Sequence, residues 1–341
     1  MTGRFVRRCA TVLAVCLVAV AVPIVTAAAA EASPAMKSQA KTELTQHIRV
    51  SWHGMKKPKT TATAVVPGIG TLTAVCRPDS TMVQLTPANR NAETQMWMAK
   101  YEQKGSRSTV AVKTVRLYRY ANADDDGHGG TGAKGHEGLN HTFPIENTSS
   151  GYMHGVISQR PGRNAAASTA ALPPVTSFEL SWYWSGFRGK PAQKTCTIDV
   201  HLRTELKPSV GLDWHGATDA QSGTTRQFAV AGLGTLTLQC EDDPHGTQAV
   251  TLTPSAGHDV WLYAETIFSA GDIQDHVDTE QLPTDPATGA VGPIELPSNG
   301  MLRLFYTSGS VKRDLIVSSY YVVNNALHPD LNLCEVAVAS F

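Results

Sequence analysis

The residues richest in chemistry sit in one stretch, 121–141. Asn122, Asp124, Asp126 and Gly127 take the first, third, fifth and sixth places of a calcium-loop pattern. The twelfth place is Ala133, where a bidentate Glu is needed, so an EF-hand is excluded and only a looser oxygen site for Ca2+ remains. His128, His136, Glu137 and His141 offer the alternative of a nitrogen-rich site for Zn2+. Against both stands a solvated insertion with no cofactor, in which Gly keeps the chain mobile and Asp keeps it wet.

A second group is aromatic. Trp52-His53-Gly54 returns as Trp214-His215-Gly216. A Trp face stacks on a sugar ring and a neighbouring His bonds a hydroxyl, so the pair is a candidate carbohydrate platform. Adjacent strand residues point to opposite faces, however, and Trp in the core with His outside explains the same pattern. Trp182, Tyr183, Trp184 and Phe187 cluster before Cys196, either as core beside a disulfide or as an exposed ligand patch.

Catalytic machinery is not legible. There is no G-x-S-x-G elbow, and Asp124-Asp125-Asp126 and Glu241-Asp242-Asp243 lie in turn-like sequence. Gly68-Ile69-Gly70 opens a strand and is no phosphate-binding fingerprint. Formal net charge is +0, with 29 basic and 29 acidic side chains, which argues against nucleic acid or an anionic membrane surface as partner.

The elements that must position these groups are written twice. Gly68-Ile69-Gly70-Thr71-Leu72-Thr73-Ala74-Val75-Cys76 returns as Gly232-Leu233-Gly234-Thr235-Leu236-Thr237-Leu238-Gln239-Cys240. Val83 to Pro87 matches Val250 to Pro254, and Met96-Trp97-Met98 matches Val260-Trp261-Leu262. Pro144-Ile145-Glu146 and Gly151 match Pro293-Ile294-Glu295 and Gly300, and Ser181-Trp182-Tyr183 matches Ser319-Tyr320-Tyr321. Matched blocks in one order indicate an internal duplication. Leu72, Ala74 and Cys76 alternate with Thr71, Thr73 and Val75, the period-two pattern of a half-buried antiparallel strand. Many such short strands between Gly and Pro turns predict an all-β protein of two tandem β-sandwich domains, and only Lys37 to Ile48 has any helical character.

Each copy carries an early and a late Cys, which predicts Cys76–Cys196 and Cys240–Cys334; a four-Cys metal site lacks the C-x-x-C spacing. Arg4, Arg7 and Arg8, an apolar run from Cys9 to Val25 and the small residues to Ala32 read as a secretory signal peptide cut near Ala30 to Ala32. No later run reaches about 20 apolar residues, so no membrane span follows cleavage. The expected order is signal peptide 1–32, flexible segment 33–46, first sandwich 47–203 with the insertion at 121–141, linker 204–209, and second sandwich 210–341.

The Ala/Val/Thr-rich leader, Val66-Pro67-Gly68-Ile69-Gly70-Thr71-Leu72-Thr73 and Asn91-Ala92-Glu93-Thr94-Gln95-Met96-Trp97 resemble uncharacterised secreted proteins of high-GC Gram-positive bacteria. The resemblance implies export and carries no activity. The expectation is a secreted non-enzymatic binding or structural protein whose partner is a protein or glycan. The alternative is a metal-binding or metal-dependent hydrolytic protein using residues 122–141.

Overall fold

The computed structural model describes residues 42–54, 59–78, 80–88, 94–103, 110–119, 135–139, 148–159, 172–257, 259–269 and 275–341, and residues 41–341 form one compact unit. The first half contains β1 (Glu43–His53), β2 (Thr61–Val66), β3 (Gly70–Arg77), β4 (Ser80–Pro87), β5 (Thr94–Gln103), β6 (Val110–Arg119), β7 (Gly135–Gly138), β8 (Ser149–Gln159), β9 (Val175–Ser185) and β10 (Thr195–Glu205). The second contains β11 (Gly211–His215), the short helix α1 (Gly216–Gly223), β12 (Thr225–Val230), β13 (Gly234–Cys240), β14 (Gln248–Pro254), β15 (Trp261–Ser269), β16 (Asp275–Pro283), β17 (Val291–Glu295), β18 (Asn299–Ser308), β19 (Val311–Val322) and β20 (Leu333–Ser340).

The strands form four antiparallel sheets. In the first half the orders are β1-β10-β9-β8-β5-β6 and β2-β3-β4-β7. In the second they are β11-β20-β19-β18-β15-β16 and β12-β13-β14-β17, position for position the same. The alternation read in the sequence is the reason: Leu72, Ala74 and Cys76 point into one buried cluster with Met96, Met98, Ile198 and Val200 from the facing sheet. Leu236, Leu238 and Cys240 do the same with Leu262, Ala264 and Val336.

Both disulfides cross between the two sheets of a sandwich. Cys76 on β3 bonds Cys196 on β10, and Cys240 on β13 bonds Cys334 on β20, with Cα–Cα distances of 6.5 and 6.6 Å. The glycine motif has a geometric cause. Gly68 and Gly232 turn the chain at φ 75° and 78°. A Cβ on Gly70 or Gly234 would lie 2.1 Å from the carbonyl oxygen of Thr86 or Thr253 on the next strand.

The halves join through the outer faces of their six-stranded sheets. Trp97, Ala99, Val156 and Val175 meet Ile267, Met301, Ile316, Ala337 and Ala339 in a third apolar cluster. Polar ties run alongside it: Gln95 Nε2 donates to Ser318 Oγ at 3.0 Å, and Ser177 Oγ donates to the Ser340 carbonyl at 2.8 Å.

Several boundaries differ from expectation. Residues 43–48 are strand rather than helix or loose segment, because β1 pairs with β10 along its whole length. Thr204 and Glu205 belong to β10 rather than to a linker, and buried Thr204 shares a 2.8 Å hydrogen bond with Thr176. Gly135–Gly138 is not loop; it fills the fourth place of its sheet, opposite Met82 to Leu85. The remainder of 121–141 apart from Leu139, the signal segment 1–32, and residues 33–41 lie outside the described residues.

Candidate functional site

The tryptophans of the expected carbohydrate platform face inward. Trp52 is 8% exposed and its indole N–H donates to the Cys76 carbonyl at 3.2 Å; Trp214 is 1% exposed and donates to the Cys240 carbonyl at 2.9 Å. The stacking expectation is therefore corrected: each indole lies against its disulfide with no face left for a sugar. Trp182 and Trp184 are also buried, and Phe187 stacks on both Trp52 and Trp184. Of that aromatic group Tyr183 is exposed.

The histidines beside the tryptophans diverge. His53 is exposed, whereas His215 is partly buried with Nε2 3.0 Å from Asp213 Oδ1. Asp213 lies opposite Glu335 in the β11–β20 ladder. Burial first, and the Asp213 carboxylate second, push Glu335 well above the usual carboxylate range. The matching positions of the first half are Ser51 and Thr197, joined by a neutral 3.2 Å hydrogen bond.

Among the proposed metal ligands, Asn122, Asp124, Asp126 and His128 lie outside the described residues, as does His141. His136 and Glu137 stand on β7 opposite Gln84 and Val83.

The fold instead gathers titratable groups where the sequence did not point. On the outer face of β1 and β10, His47 lies opposite His201 and Arg49 opposite Asp199. His47 Nε2 and His201 Nε2 each approach Asp199 Oδ1 to 2.9 Å, and their rings stack with centroids 4.3 Å apart. Among the described residues this is the group of three His, Cys, Asp or Glu side chains close enough to share an ion. A signal existed: Asp199-Val200-His201 alternates polar and apolar, which puts both polar residues on one strand face. The partner His47 is visible only once β1 is paired with β10.

A second cluster lies in the seam. Buried Glu265 accepts a short hydrogen bond from Tyr101 and stands 2.9 Å from His154 Nε2. Burial alone would raise the Glu265 carboxyl. The His154 and Tyr101 hydrogen bonds, aided by Arg303, overcome that and hold it below the usual carboxylate range. Arg303 in turn binds Asp314 through two hydrogen bonds of 3.1 and 2.6 Å and lies over the Phe341 ring. Tyr152 donates to Glu179 at 2.7 Å. Burial and the carboxylate each serves push Tyr101 and Tyr152 well above the usual phenol range. Tyr101 and His154 of the first half meet Glu265 of the second and tie the halves together.

The second sandwich also opens a groove of about 610 Å3 at one end. Phe268, Tyr321 and Leu296 line it together with Asp278, Glu280 and Glu295. Among the described residues of the first half, the positions that correspond to three of its lining side chains are buried. Register equates Phe268 with Glu102 and Thr266 with Lys100, since Gly300 faces Phe268 as Gly151 faces Glu102. Lys100 and Glu102 are buried there, with Lys100 Nζ 3.6 Å from Glu102 Oε2 and donating to the Gly138 carbonyl at 3.1 Å. Trp184, fully buried, stands where the second half has the smaller Tyr321.

Fold and sites together define an all-β protein of two disulfide-linked sandwiches joined face to face. The chain matches no family model, no curated protein and no solved structure. No helix among the described residues is long and apolar enough to cross a membrane.

Proposed function

We propose that the protein is an exported, non-enzymatic glycan-binding module of the cell envelope or extracellular space, and that its ligand enters the groove of the second half. The groove itself carries the reading. Phe268 and Tyr321 line it beside Asp278, Glu280 and Glu295. Aromatic faces stack on sugar rings while carboxylates take their hydroxyls, and the volume lies in the range of ligand clefts. Export is supported by two disulfides, which persist in oxidising compartments, and by the basic, apolar, small-residue order of residues 1–32. The matching strand orders support descent of both halves from one duplicated unit, and the leader resembles those of secreted high-GC Gram-positive proteins.

A glycan array probed with the secreted protein tests the reading. Hits that weaken at least about tenfold in Phe268→Ala and Glu280→Gln support it, since losing one stacked ring or charged acceptor costs on the order of 1.5–3 kcal/mol. Binding unaffected by both substitutions would overturn the groove as the site. Release of new reducing ends from a bound glycan would overturn the non-enzymatic reading.

A further inference from the structure

The geometry points to a binding site for a divalent first-row transition ion, Zn2+ or Cu2+, formed by His47, Asp199 and His201 on the outer face of the first sandwich. None of its residues belongs to the 122–141 stretch or lines the groove.

The backbone presents the donors on rigid elements. On the opposite face of the same two strands, Val50, Trp52, Cys196, Ile198 and Val200 are all buried, and Cys196 is cross-linked to β3. A one-residue slip of β1 would turn that apolar set into water, so the register that sets His47 against His201 is strongly held. The donors are already gathered: one ligand atom from each of His47, Asp199 and His201 lies within 4.8 Å of the others. An ion with ligands at about 2.0–2.1 Å in tetrahedral geometry needs its donors roughly 3.3 Å apart. The two N–O distances of 2.9 Å must spread and the near-parallel imidazoles must turn out of their stack to aim both lone pairs at one ion, movements open to side chains that are 51%, 60% and 24% exposed.

The chemistry selects the ion. A carboxylate only accepts hydrogen bonds, so without metal both Nε2 atoms must offer a proton to the same Oδ1. With metal each imidazole carries its proton on Nδ1 and turns the Nε2 lone pair to the ion. Two imidazoles and one carboxylate favour Zn2+ or Cu2+ over Ca2+ and Mg2+, which prefer all-oxygen sites. Arg49 Nε lies 3.6 Å from the other oxygen of Asp199, which orients the carboxylate and leaves Oδ1 for the ion. The second half has Ala337 and Ala339 at the positions of Asp199 and His201, so the site belongs to one half only.

The test is calorimetric titration of the full secreted chain with ZnCl2 and CuCl2, with CaCl2 as control. One Zn2+ or Cu2+ per chain is expected at this site, with no calcium bound there. His47→Ala and His201→Ala each weaken it at least tenfold and the double variant removes it. All three variants should melt like the parent without metal, as surface changes do. The metal-induced rise in melting temperature, which follows site occupancy, disappears in the double variant. In the Cu2+ form, electron paramagnetic resonance shows coupling to two imidazole nitrogens, and His201→Ala loses one. A triple variant His128→Ala, His136→Ala, His141→Ala retains the site. No Zn2+ or Cu2+ binding by the parent, or undiminished binding by the His47→Ala/His201→Ala variant, would overturn the proposal.

Discussion

The two halves share every strand and differ in what they do with two surfaces. At one end of the sandwich the first half buries Lys100, Glu102 and Trp184, while the second leaves a groove lined by Phe268 and Tyr321. On the outer sheet face, the second half places Ala337 and Ala339 in the seam, while the first carries the partly exposed Asp199 and His201. One framework thus holds a cleft in one copy and a donor cluster in the other. The scaffold positions are those the copies keep: the Trp-to-carbonyl hydrogen bonds, the disulfides and the turn glycines. Chemistry sits where they part, because a position released from packing is free to take a polar side chain.

Four experiments probe how far the halves are alike. Removing either disulfide should cost most. The cross-links span 120 and 94 residues, which in the chain-entropy account corresponds to about 4–5 kcal/mol each. Near-equal losses in guanidinium unfolding are expected for Cys76→Ser/Cys196→Ser and Cys240→Ser/Cys334→Ser. A large inequality would show that the halves are not energetically alike.

Glu265→Ala comes next, at about 3 kcal/mol, because it strips His154 and Tyr101 of their shared buried acceptor. The Glu265 carboxyl titrates below its unfolded value, so its contribution is present above the ordinary carboxylate range and is lost as pH falls through the depressed value. The stability gap between parent and variant, measured by urea unfolding, should close in acid.

Copying the first half into the second with Thr266→Lys, Phe268→Glu and Tyr321→Trp should fill the groove. Glycan affinity is then expected to drop at least about tenfold, or 1.4 kcal/mol, with the seam and the metal site untouched. Retained affinity on the array would show that the groove difference carries no binding.

The smallest effect is Glu335→Gln. Burial and Asp213 raise the folded-state carboxyl above its unfolded value, so its contribution is full below that value and lost as pH rises through the raised one. The amide escapes this loss. A small rise in melting temperature is expected at pH 7 and none near pH 4. The corresponding Thr197→Ser in the first half, where both partners are neutral, should show no such pH dependence.

The strand register pairs the copies differently from residue similarity. Residue similarity equates Trp97 with Trp261, but Gly151 and Gly300 sit opposite Glu102 and Phe268, which equates Trp97 with Tyr263. Strand alternation repeats every two residues, so a two-residue slip leaves every inward and outward assignment unchanged. Likewise residue similarity sets Pro144-Ile145-Glu146 against β17, yet Leu139 is the residue that mirrors Leu296. Both are buried, and each donates its N–H to the edge of the neighbouring strand, at Thr81 and Gln248.

The all-β class, the position of most strands and the pairing of four cysteines were legible before folding, because alternation and spacing are local properties that two copies state twice. Only the folded chain shows which way each tryptophan faces, that the outer sheet faces form a seam, and that a groove opens beside Phe268 and Tyr321. It also brought His47 to Asp199 and His201 across 152 and 154 positions of chain. Only the β1–β10 register makes those residues neighbours, and that register comes from the packing of the opposite face.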